Sequence, residues 1–122
     1  MLLLGGTNYI VDVGGGGLKE YSNKLEFHFT ASNSTLKHNL KGKQIYLVLT
    51  WNVRSNSRRG ESCYFDGMLF GEATGSGVSG VFRVEYTPSS DTFTQRYIIW
   101  TNNPNDYGGP VEVDLRGEVY YN

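Results

Sequence analysis

The feature that most constrains this chain is a two-residue alternation of apolar and polar side chains that returns along its length. Val111, Val113, Leu115, Val119 and Tyr121 alternate with Glu112, Asp114, Arg116, Glu118 and Tyr120. Leu25, Phe27, Phe29 and Ala31 alternate likewise with Lys24, Glu26, His28 and Thr30. Successive side chains on a strand point to opposite faces, so such segments bury one face and wet the other. Helix has little support, with two alanines (Ala31 and Ala73) against sixteen glycines and many Tyr, Phe, Val and Thr. The fold class expected is all-β.

Strands are expected at Asn8–Val13, Lys24–Ala31, Gln44–Val53, Tyr64–Gly71, Val81–Thr87, Thr94–Thr101 and Val111–Tyr121. Polar, Gly- and Asn-rich stretches join them, including one connection from Ser32 to Lys43. About seven to eight short strands with turn signals between them predict a single-domain antiparallel β-sandwich, jelly-roll type favoured. In Gln44–Val53, residues Ile45, Leu47, Leu49, Trp51 and Val53 form one apolar face. Tyr46, Val48 and Thr50 on the other face are also fairly apolar, which predicts a central strand covered on both sides. Phe27, Leu49 and Leu115 are the expected core.

At 122 residues the chain suits one domain, divided as 1–13 (apolar N-terminal strand or arm), 14–17 (glycine hinge) and 18–122 (sandwich). The single Cys63 rules out an intrachain disulfide framework and any Cys-rich zinc site. The net charge of −1 gives no global reason to expect nucleic acid. Leu2, Leu3 and Leu4 are cut off by Gly5 and Gly6, too short for a signal-peptide core, and no run approaches a membrane span. A soluble protein without membrane insertion is the expectation.

Candidate sites are weak when weighed against plainer roles. Gly75, Gly77 and Gly80 have dinucleotide-fingerprint spacing, but Val81–Thr87 reads as a strand, and the motif needs a helix there. Two basic clusters, Lys37/His38/Lys41/Lys43 and Arg54/Arg58/Arg59, flank a strand roughly 33 Å long at 3.3 Å per residue. They belong to opposite ends of the domain and make no single phosphate-binding stripe. Cys63 with His28 or His38 lacks any nucleophile signature, and Asp66 with Glu72 is a pair that any β domain offers. The loop Asn102, Asn103, Asn105, Asp106 lacks the ligand spacing of a calcium loop. No enzyme activity, cofactor or metal is expected.

Two features point toward binding. Tyr97, Trp100, Tyr107 and Tyr120 in the last quarter form a candidate ligand or partner surface, because Tyr and Trp give stiff contact area with a polar handle. At the other end, Leu2, Leu3, Leu4, Tyr9, Val11 and Val13 form a candidate assembly arm ahead of Gly14–Gly17. Consecutive glycines let a preceding segment fold back as the domain's own strand or be donated to a neighbour. Charge is also uneven: residues 1–61 carry eight Lys/Arg against four Asp/Glu, and 62–122 carry three against eight.

In general style the chain is similar to the small all-β proteins that build or decorate virus and phage particles, which implies assembly with itself or with other particle proteins. The expected function is thus a non-enzymatic homo-oligomeric structural protein, a capsid, decoration or tail-associated component of a virion. The alternative is a carbohydrate- or receptor-binding β-sandwich module that takes a glycan.

Overall fold

A chain that alternates over many short segments can satisfy its backbone only by pairing them, and it hides its apolar faces by pressing two sheets together. The computed structural model describes residues 8–15, 17–31, 33–55, 60–74, 78–100 and 111–122, without the side chains of 54, 55, 60, 61, 72–74, 78, 97–100, 111 and 112. Among the described residues there are ten strands and no helix: β1 (Tyr9–Asp12), β2 (Leu18–Tyr21), β3 (Asn23–Phe29), β4 (Thr35–Lys37), β5 (Ile45–Ser55), β6 (Gly60–Phe65), β7 (Met68–Thr74), β8 (Val78–Tyr86), β9 (Thr92–Trp100) and β10 (Val111–Tyr121). One four-stranded sheet runs β3-β10-β5-β8, a second runs β4-β9-β6-β7, and β1-β2 form a hairpin. All pairings are antiparallel.

The pairing is nested. β3 lies beside β10, β4 beside β9, β5 beside β8 and β6 beside β7. The second half of the chain thus retraces the first, and both sheets draw strands from both halves. The charge imbalance read along the sequence is therefore interleaved in space and makes no simple pole.

The two sheets form a β-sandwich around one core. Phe29, Ile45, Leu47, Leu49, Val53, Val113, Leu115 and Val119 from the first sheet join Cys63, Phe65, Phe70 and Phe93 from the second. Leu49 and Leu115 are fully buried as expected. Phe27 is only partly buried because β3 is an edge strand. Its ring still stacks toward Phe65 and Phe93 at 5.7 Å each and covers its cross-strand partner Gly117, where a Cβ would fall 2.1 Å from the ring.

The expected strand Tyr64–Gly71 is in fact two strands, β6 and β7, folded about Asp66-Gly67. Both residues have positive φ (49° and 79°), the backbone of a two-residue hairpin loop. Two further strands were not expected. Leu18–Tyr21 pairs with β1, and Thr35–Lys37 pairs with the start of β9 inside the supposed Ser32–Lys43 connection.

The hairpin β1-β2 lies against the outer face of the first sheet. Tyr9 and Tyr21 pack on Tyr120 at 5.7 and 6.2 Å, the Tyr46 hydroxyl donates to the Asp12 carbonyl at 3.3 Å, and Lys19 pairs with Glu85 on β8 at 2.6 Å. This covers the start of β5 only: Tyr46 is buried, but Thr50 farther along is exposed. Burial of β5 on both faces is thus confined to one end. Gly14, Gly15 and Gly17, all at positive φ, form the hairpin's turn.

Candidate functional site

Three segments without a shared motif meet at one end of the sandwich. The Asp66-Gly67 turn brings an aspartate to the rim of the second sheet, a position that tolerates left-handed backbone at Asp and suits Gly. Tyr86 ends β8 opposite Ile45, on the edge of the first sheet. The connection from β8 to β9 folds around the buried Pro88. It is fastened by Gly42 N–H donating to Pro88 O (3.0 Å) and His38 N–H donating to Asp91 O (2.8 Å). Together these border an open cleft of about 560 Å³ lined by Tyr64, Asp66, Tyr86, Thr94 and Arg96, with Thr87, Ser89, Ser90 and Thr92 from the connection.

Asp66 organises the cleft. Its Oδ1 accepts from Thr94 N–H and its Oδ2 from the Tyr86 hydroxyl, both at 2.8 Å, while its own N–H donates to Thr94 O at 2.8 Å. Burial, and then the bond to Asp66, push the Tyr86 hydroxyl far above the ordinary tyrosine range, so it stays a proton donor. Ser90 Oγ donates to Thr92 O and accepts Thr92 N–H, which shapes the loop. The hydroxyls of Tyr64, Thr87, Ser89 and Thr94 make no side-chain hydrogen bond to any described residue, and Arg96, exposed and opposite Tyr64 on β9, forms no ion pair with one. The cleft thus presents a held aspartate, a loose guanidinium and a ring of short hydroxyls, a lining suited to polar recognition.

The residues singled out from the sequence do not meet here. Tyr120 lies on the outer face of the first sheet under Tyr9, Tyr21 and Tyr46, its hydroxyl donating to Glu118 at 2.6 Å. Tyr97 and Trp100 belong to β9 in the other sheet, with side chains outside the described set, and Tyr107 lies outside the described residues. Leu2, Leu3 and Leu4 also lie outside them. Tyr9, Val11 and Val13 are half-buried, with Tyr9 and Val11 on the strand that pairs with β2 of the same chain.

Other chemistry fares no better. Cys63 is buried in the core, whereas His28 is exposed with Nε2 2.6 Å from Asp114 Oδ1, and the His38 ring lies tilted against Phe93 with centroids 4.0 Å apart. The glycine-rich stretch runs into strand β8, so the helix a dinucleotide motif requires is replaced by a strand; Gly80 itself lies under Trp51. Glu72's side chain and the Asn102–Asp106 loop lie outside the described set. Among the described residues, no group of three or more His, Cys, Asp or Glu could hold a metal ion, and no helix is long and apolar enough to cross a membrane.

Sequence reasoning passed over the cleft although one signal was available. Asp-Gly between alternating segments is a strong hairpin cue, and it would have set Tyr64 and Asp66 at a loop rim. The chain matches no protein-family model, and no curated protein matches it.

Proposed function

We propose that this protein is a non-enzymatic binding module whose end cleft takes a polyhydroxylated ligand, a carbohydrate. The observation that carries this is the cleft's lining: Asp66 held by Tyr86 and Thr94, beside the hydroxyls of Tyr64, Thr87, Ser89 and Thr94, which have no side-chain hydrogen bond to a described residue. Sites for apolar ligands are mostly apolar and enclosing, which this cleft is not. A sugar instead exchanges its water contacts for short hydroxyl and carboxylate contacts, with the Tyr64 ring offering an apolar face. A panel of immobilised oligosaccharides tests it. Binding of a defined subset, lost in Tyr64→Ala with the fold retained, supports the proposal; no binding across the panel contradicts it.

A second reading, a homo-oligomeric structural protein such as a virion component, is favoured by two observations. The nested strand order is compatible with the wrap of a jelly roll, an architecture used in viral capsids. Ile10 and Leu18, 68% and 71% exposed, sit diagonally across the outward face of the β1-β2 hairpin. The partners would be further copies of the chain or other particle proteins. Solution mass over a range of concentrations tests this reading: a mass that rises with concentration and falls in Ile10→Asp/Leu18→Asp supports it, and a strict monomer contradicts it. The two readings are compatible, since the hairpin and the cleft occupy different faces.

A further inference from the structure

Resting on the carbohydrate reading of the cleft, we infer that the ligand is an acidic sugar, one that carries a carboxylate, and that Arg96 recognises that group. Among the described residues lining the cleft, Arg96 is the only cation. It projects from the exposed face of β9 and forms no ion pair with any described residue. By contrast, Arg116 lies 3.7 Å from Asp114, and Lys19 and Lys24 are paired with Glu85 and Glu26 at 2.6 and 2.8 Å.

Asp66, the one acid among the described residues of the lining, does not cancel Arg96. Asp66 has one oxygen on Thr94 N–H and the other on the Tyr86 hydroxyl. It is therefore fixed as an acceptor, with lone pairs left for a hydroxyl donor. Arg96 presents a planar fork of N–H donors that matches a carboxylate with two parallel bonds. The two groups are thus complementary to a ligand with hydroxyl donors at one edge and an anion at another. A neutral sugar would use only the first half of that pattern.

Calorimetric titration of the full chain with β-methyl glucuronide and with β-methyl glucoside, which differ in carboxylate against CH₂OH, tests this, with sodium acetate as the carboxylate alone. The glucuronide is expected to bind about tenfold more tightly than the glucoside, as one charge-assisted pair at an open site gives. That ratio should shrink with added salt and approach one in Arg96→Gln. It should persist in Arg83→Gln, which alters an exposed arginine outside the cleft lining. Equal binding of the two sugars overturns the inference and leaves the carbohydrate reading standing. Acetate binding as tightly as the glucuronide overturns it in favour of a bare anion site. Binding of neither sugar overturns both.

Discussion

Trp51 should couple the edges of the two sheets, and replacing the glycines around it measures how tightly. The indole projects from β5 into a slot between Gly80, its cross-strand partner on β8, and Gly71 on β7 of the facing sheet. A Cβ at Gly71 would lie 2.6 Å from the ring's Cζ2, and one at Gly80 would lie 2.8 Å from the same atom. Ordinary carbon contacts begin at about 3.5 Å, so Gly71→Ala forces the ring or the strand back by just under an ångström. Phe70, edge-on to the indole at 5.8 Å, closes one direction of retreat. Overpacking of this kind costs about 1–3 kcal/mol, and the alanine recovers about 0.5–1 kcal/mol of backbone entropy. The net loss expected is about 1–2 kcal/mol for Gly71→Ala and somewhat less for Gly80→Ala. Urea unfolding followed by far-ultraviolet circular dichroism gives the values. Trp51→Phe should relieve much of the penalty, so that the Gly71→Ala/Trp51→Phe cycle shows a coupling of about 0.5 kcal/mol or more. A Gly71→Ala variant within 0.3 kcal/mol of the parent, with no coupling, would refute the slot.

Three further outcomes are expected. Leu49→Ala, at a fully buried position, should cost about 2–5 kcal/mol in the same assay, and a loss under half a kcal/mol would contradict its placement in the core. Gln95 is fully buried, with neither side-chain polar atom bonded to a described residue, so Gln95→Met should raise stability by about 1–3 kcal/mol; a clear loss would mean the amide has partners. Burial lowers the pKa of His38 against the upward pull of Asp66 and Asp91, so protonation favours the unfolded chain. Its contribution is present above about pH 6.5 and is lost as pH falls through the lowered folded value. Unfolding free energies from pH 7.5 to 5 should therefore fall less steeply in His38→Asn, and identical slopes would contradict this.

What the sequence revealed depended on how local the cause was. The inner face of β5 was plain because Ile45, Leu47, Leu49, Trp51 and Val53 alternate without a break, and all five are buried. β2 and β4, of four and three residues, carry too little pattern to stand out, and exist because β1 and β9 supply partners. β6 and β7 merged into one expected strand because apolar residues flank Asp66-Gly67 on both sides within Tyr64–Gly71, and the two-residue turn cue between them was passed over. Strand order follows from pairings nearly a hundred residues apart, such as Tyr121 with Asn23, which no local window contains. The cleft was hidden for the same reason: Tyr64, Tyr86 and Arg96 share no motif and meet only when β6, β8 and β9 are in place. The tyrosine that did attract notice, Tyr120, is covered by the hairpin.

The central claim is that this protein binds its ligand at the end cleft, and backbone amide shifts of the isotope-labelled chain test it most directly. On titration with a glucuronide-containing oligosaccharide, saturable shifts are expected at Tyr64–Gly67 and Thr87–Arg96, with the Ile10 and Leu18 amides unmoved. Saturable shifts centred on the hairpin or the outer face around Tyr120, with the cleft silent, would contradict the claim.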